Sequence, residues 1–144
     1  MRAVLVLAIG LGGCAAGAGG APGQEWGYAE AHADCAPWDG AATTITLSDA
    51  PLGETPTGPY LVISVYRALR ESGGTTRIGS QQGQGMSAQL CPADGSCILA
   101  DEGSVDLTPA DSSIRGRYTF RLTDGRRVTG SFTARVVAFR ALCG

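Results

Sequence analysis

Ser113-Ile114-Arg115-Gly116-Arg117-Tyr118-Thr119-Phe120-Arg121-Leu122, then Thr123-Asp124-Gly125, then Arg126-Arg127-Val128-Thr129-Gly130-Ser131-Phe132-Thr133-Ala134-Arg135-Val136: this stretch reads as a β-hairpin and fixes how the rest is read. Ile114, Tyr118, Phe120 and Leu122 fall on even numbers, and so do Val128, Phe132, Ala134 and Val136. Successive strand side chains point to opposite faces, so each row is one apolar face. A two-residue Asp124-Gly125 turn would pair even with odd positions and send the two rows to opposite faces of the sheet. A three-residue loop, Thr123-Asp124-Gly125, with Gly125 left-handed in a G1 bulge, keeps both rows on one face. That register sets Tyr118 against Gly130 and Phe132 against Gly116, each aromatic covering a glycine, with Thr119 facing Thr129 on the exposed side.

Working outward, no window after the first residues sustains helical periodicity, whereas short β-branched and aromatic runs alternate with Gly, Pro and Asp turns. Candidate strands are 43–47, 60–67, 86–91, 97–100, 104–108, 113–123 and 126–139. The expected fold is all-β, a single antiparallel β-sandwich or small β-barrel of about seven to eight strands. Tyr60-Leu61-Val62-Ile63-Ser64-Val65-Tyr66 is apolar at both parities, which predicts a central strand covered on both faces. Residues 73–85 are polar and glycine-rich and read as a mobile loop. They lack the Gly-Lys-Ser/Thr ending of a phosphate-binding loop.

Five cysteines punctuate the chain. Cys35, Cys91, Cys97 and Cys143 form an even set, which pairs in an oxidising compartment and leaves Cys14 over. Three connectivities exist. Cys91 with Cys97 is favoured because Pro92-Ala93-Asp94-Gly95-Ser96 between them is a turn sequence, and Cys35 with Cys143 would then tie the start of the domain to its end. Zinc is the rival reading, but the spacing of Cys91 and Cys97 is wide for a knuckle and His32 is the only histidine.

The leftover cysteine has its own context. Arg2 supplies a positive n-region, residues 3–11 are apolar but too short to span a bilayer, and Leu11-Gly12-Gly13-Cys14 follows. This segment resembles the signal of bacterial lipoproteins, whose lipobox ends in the cysteine that becomes a lipidated mature N-terminus. The resemblance implies removal of residues 1–13 and attachment of acyl chains, palmitate among them, to Cys14. With Ala15 rather than Asp at the next position, it further implies residence in the cell outer membrane. An ordinary secretory signal cleaved near Ala16-Gly17-Ala18 is the alternative. Residues 14–24 then form a flexible Ala/Gly linker, and 25–144 form one domain large enough to bury a core without a metal.

Every positive charge is an arginine. Lysine Schiff-base and P-loop chemistry are thereby excluded from this chain. The formal charge is −2, and losing Arg2 takes 11 positive charges to 10 against 13 acids, a net of about −3 that argues against nucleic-acid binding. The hairpin register places Arg115, Arg117, Arg121, Arg127 and Arg135 on the polar face, a stripe that could receive an anionic glycan, a lipid headgroup or an acidic partner. Solvated residues lying over the sheet are the plainer reading. Arg121 opposite Arg127 is a like-charge pair, with Asp124 close enough to relieve it.

Asp94, Asp101, Glu102, Asp106 and Asp111 fall around two expected turns and match no EF-hand spacing. Two of them could serve as a glycosidase pair, although loop acids are common in β domains. His32 has no Gly-x-Ser-x-Gly elbow to serve. Trp26, Tyr28 and Trp38 flank Cys35 and are expected to seal an end of the core, with sugar stacking as the functional alternative. The expected role is a lipid-anchored, non-catalytic binding or structural module of the cell envelope. Its partners would be the membrane, through the lipid, and an envelope protein or glycan; no cofactor or metal is expected. An inhibitor of envelope-active proteases or lysozyme, presenting residues 92–96 as a rigid loop, is the alternative. A hydrolase using loop carboxylates ranks third.

Overall fold

The computed structural model describes residues 23–52, 58–79, 85–138 and 142–143. Among the described residues there are eight strands: β1 (Tyr28–Cys35), β2 (Ala41–Ser48), β3 (Tyr60–Val65), β4 (Gly74–Arg77), β5 (Met86–Cys91), β6 (Ile98–Pro109), β7 (Ser113–Leu122) and β8 (Arg127–Val136), with one 3₁₀ turn at Leu69–Glu71. Seven of them close into a barrel, in the order β6-β5-β3-β2-β1-β8-β7 and back to β6, and β4 is added to the edge of β6. Closure decides between sandwich and barrel in favour of the barrel and removes the free edges that an open sheet would expose.

The hairpin has the register its parity demanded. Tyr118 pairs with Gly130, Gly116 with Phe132, Thr119 with Thr129 and Arg121 with Arg127. Gly125 has φ of 87°, Gly125 N donates to Leu122 O at 2.8 Å, and Leu122 N donates to Arg126 O at 2.8 Å. Inward-facing residues of all the barrel strands fill the lumen: Ala31, Ile45, Leu47, Leu61, Ile63, Met86, Ala88, Val105, Leu107, Ile114, Phe120, Leu122 and Ala134 are essentially inaccessible. The barrel is a packed core, not a channel. Emptying such a site, as in Phe120→Ala, costs about 3 to 5 kcal/mol.

Several sequence expectations need correction. β1 was not foreseen. Its Ala29, Ala31 and Ala33 alternate with polar residues, but alanine is a weak strand former and hides the pattern. Residues 97–100 and 104–108 belong to one strand. Asp101-Glu102-Gly103 is a bulge after Ala100, where Gly103 takes φ of 136° and β6 exchanges its neighbour β5 for β4. The glycine-rich stretch contributes β4, and its residues 80–84 lie outside the described residues. β3 is buried on one face alone: Leu61, Ile63 and Val65 point inward, while Tyr60, Val62 and Ser64 are half-buried.

One barrel junction is parallel. β1 meets β8 at Glu30 with Arg135 and Ala31 with Val136. Because the two strands run the same way, the chain leaving β8 continues alongside β1, where Val137 N donates to Ala31 O at 2.9 Å. Cys143 meets Cys35 at the end of β1, with Cα atoms 5.5 Å apart. Cys91 and Cys97, 4.0 Å apart at Cα, close the connection between β5 and β6. Both cysteine pairs are those favoured from the sequence. Gln24, assigned by composition to the linker, donates to Thr129 O at 2.8 Å, so the ordered domain already includes it. The signal-like segment and Cys14 lie outside the described residues.

Candidate functional site

Alternation along β7 and β8 sends their odd-numbered residues to the outer wall, where Arg115, Arg117, Arg121, Arg127 and Arg135 are all exposed. Their surroundings differ. Arg121 is held by Asp101 (Nε–Oδ1 3.1 Å) and Glu102 (3.2 Å), residues that β6 brings beside it across the bulge. The Asp101 hydrogen bond and the two charges raise the Arg121 pKa further above its ordinary value. Relief of the Arg121–Arg127 repulsion therefore comes from Asp101 and Glu102, not from Asp124. Asp124 instead accepts from Arg126 N at 3.0 Å and from Arg126 Nε at 2.7 Å, bonds that depress its carboxyl below the usual range. Arg135 pairs with Glu30 across the parallel junction.

Arg115 and Arg117 form no ion pair among the described residues. They face two adjoining open clefts, of about 640 and 440 Å³, that share Glu25, Arg117 and Ser131 in their walls. The larger cleft extends to Arg115, Asp106, Thr108 and Thr133, with Trp26 at its side. The smaller one continues to Thr119 and Thr129. Asp106 lies opposite Arg117 in the β6–β7 register. Trp26 Nε1 donates to Tyr118 Oη at 2.9 Å, which fixes the indole. Burial pushes the Tyr118 phenol up, and the Trp26 bond opposes that in part. Arg127 is exposed but lies outside both clefts.

Of the other sequence candidates, Asp106 and Trp26 line this groove and the rest lie outside its walls. Asp101, Glu102 and Asp106 stand on a strand, not in turns, while Asp94 and Asp111 remain in connections. Among the described residues no group of three or more His, Cys, Asp or Glu is placed to hold a metal ion. His32 is on β1, with Nε2 4.0 Å from Asp34 Oδ2. Asp34 Oδ2 accepts from Thr44 at 2.8 Å and Oδ1 accepts from Cys35 N at 2.8 Å, and the Thr44 hydroxyl lies 3.2 Å from that of Ser64. This row across β1, β2 and β3 went unread because β1 did. Trp38 packs edge-on against Tyr66 with centroids 4.8 Å apart and closes a small second cluster with Ala36 and Ala42. Tyr28 is exposed, so the three aromatics do not form one group.

Residues 93–97 are exposed beyond the Cys91–Cys97 bridge. From the pairing of Ile98 with Leu90 to that of Asp106 with Arg117, β6 rises by roughly 25 Å. The loop and the groove are therefore separate surfaces. No family model, curated protein or solved structure matches this chain.

Proposed function

We propose that this protein is a non-catalytic binding module of the bacterial cell envelope, anchored through lipid on Cys14, and that the outer face of β7 and β8 takes a ligand's anionic groups at Arg115 and Arg117. The observation carrying this reading is the contrast within one arginine stripe. Arg121 and Arg135 have acidic partners, whereas Arg115 and Arg117 have none among the described residues and border a groove. A guanidinium presents its donors in a planar fork suited to a carboxylate or phosphate, so an unpaired couple in a cleft is an anion receptor. The lipobox-like signal and the paired cysteines support an exported location.

Titration of the isotopically labelled chain with succinate and with inorganic phosphate tests the site. Amide shifts centred on Arg115, Arg117 and Ser131 are expected. Equal shifts at Arg70, Arg77 and Arg127 would overturn it. For the anchor, Cys14→Ser should move the protein from the membrane fraction to the soluble one; unchanged membrane retention would refute lipidation.

A second reading, inhibition of an envelope-active protease or lysozyme, is favoured by the exposed, disulfide-closed loop 92–96. Assays of both enzyme classes with the protein in excess test it, and full activity in both would end it.

A further inference from the structure

We infer that the groove along β7 and β8 binds an acidic oligosaccharide, a chain of sugar rings bearing carboxylates; this rests on the reading of Arg115 and Arg117 as an anion receptor. Three features of the groove select that chemistry over other anions.

The first is the hydroxyl content of the walls. Thr108, Ser131 and Thr133 line the larger cleft, and Thr119 and Thr129 the smaller. A hydroxyl both donates and accepts, so these residues match ligand hydroxyls, which do the same. A phosphate chain offers acceptors almost exclusively and would leave much of that capacity unused.

The second is the charge pattern. Glu25 and Asp106 stand in the same wall as Arg115 and Arg117. Two positive and two negative side chains make the groove formally neutral, and a densely charged polyanion would be driven onto the two carboxylates. Sugar hydroxyls donate to Glu25 and Asp106, while sugar carboxylates take the guanidinium forks of Arg115 and Arg117. One ligand class satisfies both signs.

The third is shape. The clefts share Glu25, Arg117 and Ser131 and together follow β7 from Arg115 to Thr119, roughly 13 Å of strand rise, a trough longer than a single ion needs. Trp26 borders it with its indole fixed by Tyr118. A held aromatic side gives an apolar surface for the C–H face of a sugar ring at little entropic cost.

The decisive experiment is calorimetric and NMR titration of the full, oxidised chain with tetragalacturonate, with its neutral methyl ester, and with inorganic phosphate and polyphosphate as sugar-free anions. The variants are Arg115→Gln/Arg117→Gln and, as a charge-matched control on exposed residues outside the groove, Arg77→Gln/Arg127→Gln. The expected result is binding of tetragalacturonate at least tenfold tighter than of its ester, with shifts along β7 and β8. The groove variant should weaken it at least tenfold and the control variant less than twofold. Ester bound as tightly as acid, or equal loss in both variants, overturns the saccharide assignment. Phosphate or polyphosphate shifting Arg115 and Arg117 while tetragalacturonate does not also overturns it but leaves the anion receptor standing. If no probe shifts β7 or β8, both readings fall. Glu25→Gln/Asp106→Asn gives an independent check: polyphosphate binding should rise and tetragalacturonate binding should fall, and the opposite pattern would refute the role of the acids.

Discussion

Tyr118 lies over Gly130 so closely that a Cβ on Gly130 would stand 2.5 Å from Tyr118 Oη and 2.6 Å from Gln24 O. The same arrangement is repeated two pairs along the hairpin, where a Cβ on Gly116 would meet Phe132 Cε1 at 2.7 Å. Both glycines are there for space, since neither has a positive φ. Their absent side chains let two aromatics lie flat between neighbouring strands. Gly116→Val and Gly130→Val should each destabilise the barrel by about 1 to 3 kcal/mol through overpacking, lowering Tm by several degrees in calorimetry. Gly130→Val should in addition loosen the segment at Gln24, seen as faster amide exchange there. An unchanged Tm would contradict the packing.

Tyr118 also accepts the Trp26 indole N–H at 2.9 Å. Tyr118→Phe keeps the ring over Gly130 but strands that half-buried donor, a loss of about 1 kcal/mol. The pH dependence follows from the raised phenol pKa, whose main cause is burial. The unfolded state gives up this proton first, near the ordinary value of roughly 10. The stabilisation is therefore complete below that pH and is lost as pH rises through the higher folded value. Chemical denaturation across the alkaline range should show a steeper decline for the native chain than for Tyr118→Phe. Identical alkaline limbs would mean that Tyr118 does not titrate as described.

The hairpin was legible because its information is local: parity, one Asp-Gly turn and two glycines leave a single register. The cysteine pairing was legible for a related reason, since a turn sequence joined two of them and elimination joined the rest. β1 was not, because its inward row is alanine, and small side chains carry little hydrophobic signal even where Ala31 is fully buried. Nor was the continuity of β6 legible through Asp101-Glu102-Gly103, since a bulge and a turn share the same residue types. For the candidate site, the arginine stripe could be read from alternation alone. Which arginines are paired could not, because Arg121's partners come from β6 and Arg135's from β1. The groove additionally needs Glu25 and Trp26, brought to β8 by the parallel junction.

Asp124 makes the opposite acid-base prediction to Tyr118. The Arg126 backbone N–H, and then the Arg126 side chain, lower its pKa. The unfolded carboxyl takes its proton near roughly 3.9, before the folded one does. This contribution is present above that pH and is lost as pH falls through the lower folded value. Asp124→Asn keeps an oxygen acceptor in the turn but removes the charge. Its neutral-pH stability should stay close to that of the parent, as is usual at exposed sites, while its acid limb becomes flatter. Direct NMR titration of the Asp124 carboxyl is the cleanest check, and an inflection at or above the ordinary value would refute it.

The two disulfides should differ in worth, because the loops they close differ. Cys35 and Cys143 are 108 residues apart and Cys91 and Cys97 are six apart. In the chain-entropy account the first restricts the unfolded ensemble by about 4.8 kcal/mol and the second by about 2.4 kcal/mol. The long bridge also ties Cys143 to the end of β1, the strand that makes the parallel junction closing the barrel. Cys35→Ala/Cys143→Ala should therefore lower stability roughly twice as much as Cys91→Ala/Cys97→Ala in urea denaturation. It should also speed amide exchange at Ala31 and Val137, where the junction is thinnest. The short bridge should leave those amides protected and loosen residues 92–96 instead. Equal losses, or greater loss from the short loop, would show that local strain and not chain restriction sets the stability of this barrel.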